Sequence, residues 1–255
     1  MNKLLEGKVA IVTGGAKGLG YGISRALASE GASVLISGRD GAAAETVAAE
    51  IERDFGSKAI GIAGDMGVKE DVLAMVQRAV DSFGGLDILV NNASLLSAGV
   101  LLEDKTDEML RRTLEIGVWG NWWAMQAAFP HMKRRGGGSV INFSSIDAQT
   151  GAWLHSDYNI NKLGIEGLTR SAAVEWGRFN IRVNALAPGY VRTELTGEVL
   201  REHPDVVNNV WAKGAVQNRI GSVEELVGAT VYLASDAASF TTGEIITIDG
   251  GLTLR

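Results

Sequence analysis

Tyr158 and Lys162 stand four residues apart, and Ser145 stands thirteen residues before the tyrosine. On a helix the four-residue step puts both side chains on one face, a turn apart. An ammonium held near a phenol favours the phenolate. Two unit charges ~4 Å apart at an effective dielectric of ~20 attract by roughly 4 kcal/mol, an upper figure worth about 3 pH units. The expectation is a tyrosine drawn from ~10 towards neutral pH, fit to give or take a proton. Ser145 closes the apolar run Ser139-Val140-Ile141-Asn142-Phe143-Ser144, which reads as a strand. A hydroxyl there can donate to a substrate oxygen while Tyr158 exchanges its proton. Tyr-x-x-x-Lys also arises by accident in helices, so the chemistry stands only if the rest of the chain supplies a frame for it.

Composition narrows that frame. The chain has 255 residues, 46% of them apolar and 21% charged, with a net charge of −6. These are ordinary globular values, and the length suits one large α/β core. The net acidity argues against tracking a nucleic-acid backbone. Lys133-Arg134-Arg135 reads as a solvated helix end, where cations suit the dipole. There are no cysteines, which excludes disulfides and thiol chemistry. The three histidines are scattered, so no transition-metal centre is expected. Met1 to Lys8 is too short and polar for a signal peptide, and no apolar run approaches ~20 residues, so the expectation is a cytoplasmic protein outside the membrane.

The chain alternates between apolar strands and amphipathic helices. Val9-Ala10-Ile11-Val12 reads as a buried parallel strand. Thr13-Gly14-Gly15-Ala16-Lys17-Gly18-Leu19-Gly20 follows, then a helical pattern through Ala28. Strand, glycine turn and helix form the context of a dinucleotide-binding loop, in which glycines admit a pyrophosphate close to the backbone and a helix N-terminus offers free amides. Further strands are expected over 32–37, 58–63, 86–90, 139–144, 181–187 and 244–248, and helices over 42–55, 69–83, 107–132 and 224–234. Seven such alternations argue one α/β, doubly wound Rossmann-type parallel sheet spanning residues 1–255 as a single domain.

The motifs resemble those of the short-chain dehydrogenase/reductase family along nearly the full length. They are Thr-Gly-x-x-x-Gly-x-Gly at Thr13–Gly20, Asn91-Asn92-Ala93-Ser94, Ser145 with Tyr158-x-x-x-Lys162, and Pro188-Gly189 followed by Thr193. The resemblance implies a seven-stranded sheet of order 3-2-1-4-5-6-7 and self-association to a homotetramer or homodimer. It implies that Ser145, Tyr158 and Lys162 are catalytic. It also implies that Gly14, Lys17, Gly18, Leu19, Gly20, Asp65, Met66, Asn91, Tyr158, Lys162, Pro188, Gly189, Val191 and Thr193 border the cofactor. Asp65 would meet the adenine, although it equally suits a helix cap. An NAD-preferring site usually carries an acid after the second strand. Here Gly38 and Arg39 stand there, and Arg39 with Lys17 can hold a 2′-phosphate, which selects NADP(H). Asp40 is placed to pair with Arg39 and blunt it.

Two places depart from the family pattern. Ser94 replaces a glycine. Gly117, in Gly117-Val118-Trp119-Gly120, occupies the position of the asparagine that commonly acts as a fourth catalytic member. A glycine keeps the carbonyl there and loses the side chain, so the proton relay is expected to be rearranged and the helix loosened or kinked, since a mid-helix glycine costs about 1 kcal/mol against alanine. Ile146 to Asp157 reads as a loop near the expected substrate side, in which Trp153 and His155 either line the pocket or sit on the surface. Residues 194–219 read as a substrate lid with Val207 and Trp211 as pocket walls. Trp119, Trp122 and Trp123 read as packing against the core or another subunit. The resulting expectation is an NADP(H)-dependent oxidoreductase interconverting a secondary alcohol and a bulky or apolar ketone, such as a steroid, terpene or aryl ketone. A 3-oxoacyl thioester or a sugar alcohol remains open as substrate. The alternatives are an NADP(H)-binding sensor or scaffold with little turnover, or dehydration or epimerisation on the same fold.

Overall fold

Five consecutive apolar or β-branched residues, Val9–Thr13, form β1, and all five are buried. Because successive strand residues face opposite ways, Ala10 and Val12 enter one core and Val9 and Ile11 the other. A strand buried on both sides needs a continuous apolar run, which is what these residues supply. The computed structural model describes residues 3–193, 196–197, 201–202 and 204–254, with the side chains of residues 208 and 209 set aside.

The elements are β1, α1 (Gly18–Ser29), β2 (Ser33–Gly38), α2 (Gly41–Phe55), β3 (Ala59–Ala63), α3 (Lys69–Phe83) and β4 (Ile88–Asn91). They continue with α4 (Asp107–Leu114), α5 (Gly120–Arg134), β5 (Gly138–Phe143), α6 (Asp147–Thr150), α7 (Ser156–Trp176), β6 (Ile181–Pro188), α8 (Val223–Ala234) and β7 (Ile245–Ile248). The seven strands form one sheet in the order β3-β2-β1-β4-β5-β6-β7, and every pairing is parallel. The fold and strand order are those expected from the sequence. Helices α1, α2 and α8 cover one face of the sheet, and α3, α5 and α7 cover the other. Since all strands run the same way, their C-terminal ends lie along one edge, and ligands of such sheets bind there.

The long helix expected over 107–132 continues to Arg134, but it is not regular. Between α4 and α5 lies a π-turn, Glu115–Trp119, centred on Gly117. The loosening expected at this glycine takes the form of one widened turn. The expected loop over 146–157 contains the short helix α6, and α7 already begins at Ser156. Trp119 stacks on Trp123, with centroids 6.2 Å apart, and both Trp119 and Trp122 are exposed. Trp122, Phe129, Leu168 and Trp176 border one surface cavity between α5 and α7. Of the three tryptophans expected to pack, Trp123 packs against the core, while Trp119 and Trp122 remain exposed on the helix. Of the lid expected over 194–219, Glu194, Leu195, Glu198, Val199, Leu200 and His203 lie outside the described residues. No helix among the described residues is long and apolar enough to cross a membrane.

Candidate active site

Ser145 lies two residues beyond the end of β5. Pairing with β6 continues past the strand, because Ser144 donates its N–H to Leu186 O (2.8 Å) and Ile146 donates to Pro188 O (3.2 Å). Those two bonds hold the Ser145 backbone. Its buried hydroxyl accepts from the Asp147 N–H at 3.1 Å and hydrogen-bonds Tyr158. Tyr158 and Lys162 lie one turn apart on α7, and the Lys162 Nζ is 5.2 Å from the centre of the tyrosine ring. The fully buried Nζ donates to Phe143 O at 2.7 Å, so the end of β5 fixes both the serine and the lysine. An ammonium has three N–H donors, and Phe143 takes one.

The electrostatics differ from the sequence expectation. Burial pushes Tyr158 up from its ordinary value and the Asp147 carboxylate pushes it further, while the Ser145 hydrogen bond opposes both. The attraction of Lys162 is outweighed, because burial penalises the phenolate and also lowers the lysine itself to about 8, against the opposing pull of Asp147. Desolvation penalises each charged form, and in this pocket it outweighs the mutual attraction. Near pH 7 the pair therefore rests as neutral tyrosine beside a largely protonated lysine.

Asp147 was not anticipated. Burial raises its carboxyl, with His155, Ser145 and Lys162 opposing, and it acts electrostatically on Tyr158, Lys162, His155 and Tyr190. Its carbonyl accepts from the Asn159 side chain, within the Tyr-x-x-x-Lys turn. The one available signal was its place two residues after Ser145. His155 is half-buried beside this carboxylate and its Nδ1 has no hydrogen-bond partner. Trp211 stacks on Tyr190 with ring centres 4.5 Å apart and planes 9° apart, making a flat aromatic wall next to Pro188-Gly189. Trp153 is not brought to the site. It is 81% exposed, because left-handed backbone at Gly151 and Leu154 turns the chain so that Leu154, not Trp153, packs against Gly99.

Behind Tyr158 a buried polar network fixes the start of α7. Asp157 pairs with Lys105 at 2.8 Å and accepts from Ser97 Oγ (2.6 Å) and Thr113 Oγ1 (2.8 Å). Burial acts to raise the Asp157 carboxyl, but Lys105, Ser97 and Thr113 together outweigh it and hold it at about 2. No sequence motif announces this network, since its members come from three separate segments, the 97–105 stretch, α4 and α7.

The glycine loop is fitted for a dinucleotide. Gly14 and Gly18 have positive φ angles of 63° and 52°. A Cβ at Gly20 would overlap the Gly14 carbonyl and crowd the Asn92 amide, which donates to Thr13 O (3.0 Å) and Gly14 O (3.1 Å). Thr13 Oγ1 in turn accepts from Asn92 N and Ala93 N, both at 3.0 Å. These bonds tie the loop to the end of β4. Lys17 is the N-cap of α1 and makes no side-chain cap, which leaves first-turn amides free for an anion. Leu19 packs against the core beneath, and Thr193 lies over the loop, 3.6 Å from where a Gly18 Cβ would stand. Asn91 is buried and donates to Asn142 Oδ1 at 2.8 Å.

The remaining cofactor-side residues follow the strand ends. Arg39 is exposed just after β2. Asp40 does not pair with it. Asp40 instead caps α2 through the Ala43 N–H and lies 3.7 Å from Lys17. Asp65 accepts from the Gly67 N–H at 2.8 Å and from Arg112, so its carboxylate is engaged in the turn after β3. Met66 is buried, and its carbonyl lies where a side chain at Gly120 would stand. Gly189 closes on Ile248 O at 2.9 Å, and Val191 forms an isolated bridge with Gly221 through the neighbouring Tyr190 carbonyl and Arg192 N–H. The Val191 carbonyl accepts from Thr196 Oγ1 at 2.7 Å. Among the described residues no group of three or more metal-ligating side chains comes together.

A parallel sheet with a glycine loop at β1 and a Ser-Tyr-Lys cluster at β5 and α7 defines a nucleotide-dependent oxidoreductase. The comparisons with known proteins agree. A family model described as enoyl-(acyl carrier protein) reductase matches residues 14–253. A short chain dehydrogenase/reductase of Aspergillus oryzae is 38% identical over 251 residues, covering 98% of this chain and 96% of that protein. The solved L-sorbose reductase of Gluconobacter frateurii, complexed with NADPH and L-sorbose, superposes with a TM-score of 0.94 at 30% identity over 100% of both chains. A 7α-hydroxysteroid dehydrogenase, complexed with NADH and 7-oxo glycochenodeoxycholic acid, gives 0.92 at 31% identity over 98% of this chain and 96% of its own. The chain belongs to the short-chain dehydrogenase/reductase family, whose members are NAD(P)(H)-dependent oxidoreductases acting on CH–OH groups.

Proposed function

We propose that the protein is an NADP(H)-dependent oxidoreductase that interconverts a bulky secondary alcohol and its ketone, with the whole chain forming one catalytic unit. The observation that carries this reading is the Ser145, Tyr158 and Lys162 cluster at the end of β5, facing a glycine loop with an uncapped helix N-terminus. NADP(H) is preferred because Arg39 is free of Asp40, which caps α2 instead, and because Gly38 rather than an acid closes β2. The nicotinamide, when bound, supplies or receives the hydride.

The residues of the chain do the rest. Ser145 donates to the carbonyl oxygen and orients it. Tyr158, neutral at rest, hands its proton to that oxygen in reduction and takes it back in oxidation. Lys162 has two donors left for ribose hydroxyls, and its charge favours the phenolate as it forms. Gly14, Gly18, Leu19 and Gly20 cradle the pyrophosphate, with Thr193 above them. Asp65, Met66 and Asn91 border the adenosine, and Pro188, Gly189 and the Val191 N–H meet the carboxamide. The Tyr190–Trp211 stack provides a flat wall for the body of the substrate, while Asp147 and His155 offer polar groups beside it.

Tyr158→Phe tests the reading. It is expected to abolish turnover of a ketone panel while leaving NADPH binding, read by fluorescence, close to wild type. Full residual turnover would overturn the assignment.

A further inference from the structure

Gly117 and Asn161 occupy each other's space. A Cβ built on Gly117 would overlap the Asn161 side-chain amide, so residue 117 stays a glycine as long as residue 161 carries that amide. Asn161 sits on α7 between Tyr158 and Lys162, is fully buried, and has no hydrogen-bond partner at either Oδ1 or Nδ2. Asn121, one turn on from Gly117, is also fully buried and also lacks partners at both amide atoms.

The two asparagines share one seam. Met125 follows Asn121 by one turn of α5, and Thr169 follows Asn161 by two turns of α7. Asn142 contacts both, donating to Thr169 Oγ1 at 2.9 Å and lying 3.8 Å from Met125 Sδ. The 117–121–125 face of α5 and its π-turn therefore runs against the 161–165–169 face of α7. Four unpartnered amide atoms in one buried seam are costly unless something bonds them. A buried water needs 2–4 polar partners, and this seam has them. The π-turn widens the helix at the same point, and such turns concentrate at functional sites.

We propose that Asn121 and Asn161 hold an ordered water between the π-turn and α7, and that Asn161 is thereby a positioning residue for Tyr158 and Lys162. The water-bridged amides clamp the turn of α7 that carries both groups. The side chain missing at 117 is replaced by one reaching across from 161. The positioning role rests on the function assigned to Tyr158 and Lys162 above. The water site does not.

The test has a structural and a kinetic arm. A crystal structure at a resolution that defines waters is expected to show a peak within hydrogen-bond distance of an amide atom of both Asn121 and Asn161. Amides bonded directly to each other, with no water between them, would overturn the site. Asn161→Ala is expected to lower kcat about tenfold with KM for NADPH little changed, since the perturbation acts on the reacting groups. Gly117→Asn alone introduces the overlap and should fall further. Gly117→Asn combined with Asn161→Ala restores an amide from the opposite helix and is expected to recover most of kcat. A double variant no better than Asn161→Ala, or an Asn161→Ala enzyme with wild-type kcat, overturns the positioning role. If Asn161→Ala does not fold, recovery of folding and kcat in the double variant decides the matter. An active Tyr158→Phe enzyme alongside an observed water would instead refute the functional reading and leave the site standing.

Discussion

Lys105→Met is expected to destabilise the protein by ~3 kcal/mol at neutral pH and to lower kcat. Lys105 is 6% exposed and its partner Asp157 1%, so neither charge is compensated by solvent. Asp157 titrates at about 2 against an ordinary 3.8. At ~1.4 kcal/mol per pH unit, that gap favours the folded, ionised carboxylate by ~2.5 kcal/mol. Methionine conserves much of the lysine volume but leaves the carboxylate buried with only the Ser97 and Thr113 hydroxyls, and breaking one side of a buried pair costs about 3–5 kcal/mol. The sign of the pH dependence follows from the lowered carboxyl. The stabilisation is complete above the unfolded value of ~3.9 and is lost as pH falls towards 2, so the gap between variant and wild type should narrow below about pH 4. Urea unfolding followed by fluorescence, with six tryptophans as reporters, measures both quantities. The kinetic effect arises because the same pair pins the 97–105 segment to the residue before Tyr158. A loss below ~1 kcal/mol, or a gap unchanged between about pH 6 and pH 3, would refute the reasoning.

Three further outcomes follow from the site. Because burial raises Tyr158, the tyrosine holds its proton through neutral pH and reduction should run well there, and because Lys162 is lowered to about 8, the reduction rate should fall as pH rises through 8 and the lysine loses the charge that favours the phenolate. Initial rates of ketone reduction against pH would check this, and a reduction rate that climbs across that range would contradict it. Arg39→Ala should cost NADPH kcat/KM roughly 10- to 100-fold, the worth of a charge-assisted bond, and leave NADH unaffected. Lys17→Ala should cost less, since Asp40 already lies 3.7 Å from Lys17, and steady-state kinetics with both nucleotides would reveal a reversed order. Gly20→Ala forces a methyl onto the Gly14 carbonyl, so binding titrations should show NADPH affinity down by at least about tenfold, whereas an unchanged affinity would mean that the loop yields freely.

The sequence by itself determined the strands, the glycine loop and the step from Tyr158 to Lys162, through local signals: apolar runs long enough for strands buried on both faces, glycines where the backbone must approach itself, and a four-residue step on one helix. The strand order and the grouping of Ser145 with that step followed from the resemblance of its motifs to the family. Tertiary structure decided what lies between those signals. Asp147, Tyr190 and the Lys105–Asp157 pair belong to the site through contacts between distant segments, and no spacing along the chain encodes them. The protonation state of Tyr158 differs from the sequence expectation for a related reason. Adjacent residues reveal an attraction between charges, but only the packed fold sets the burial that outweighs it. Gly117 makes the same point, since its departure from the family pattern reads as a loss until α7 is folded against it and Asn161 fills the space.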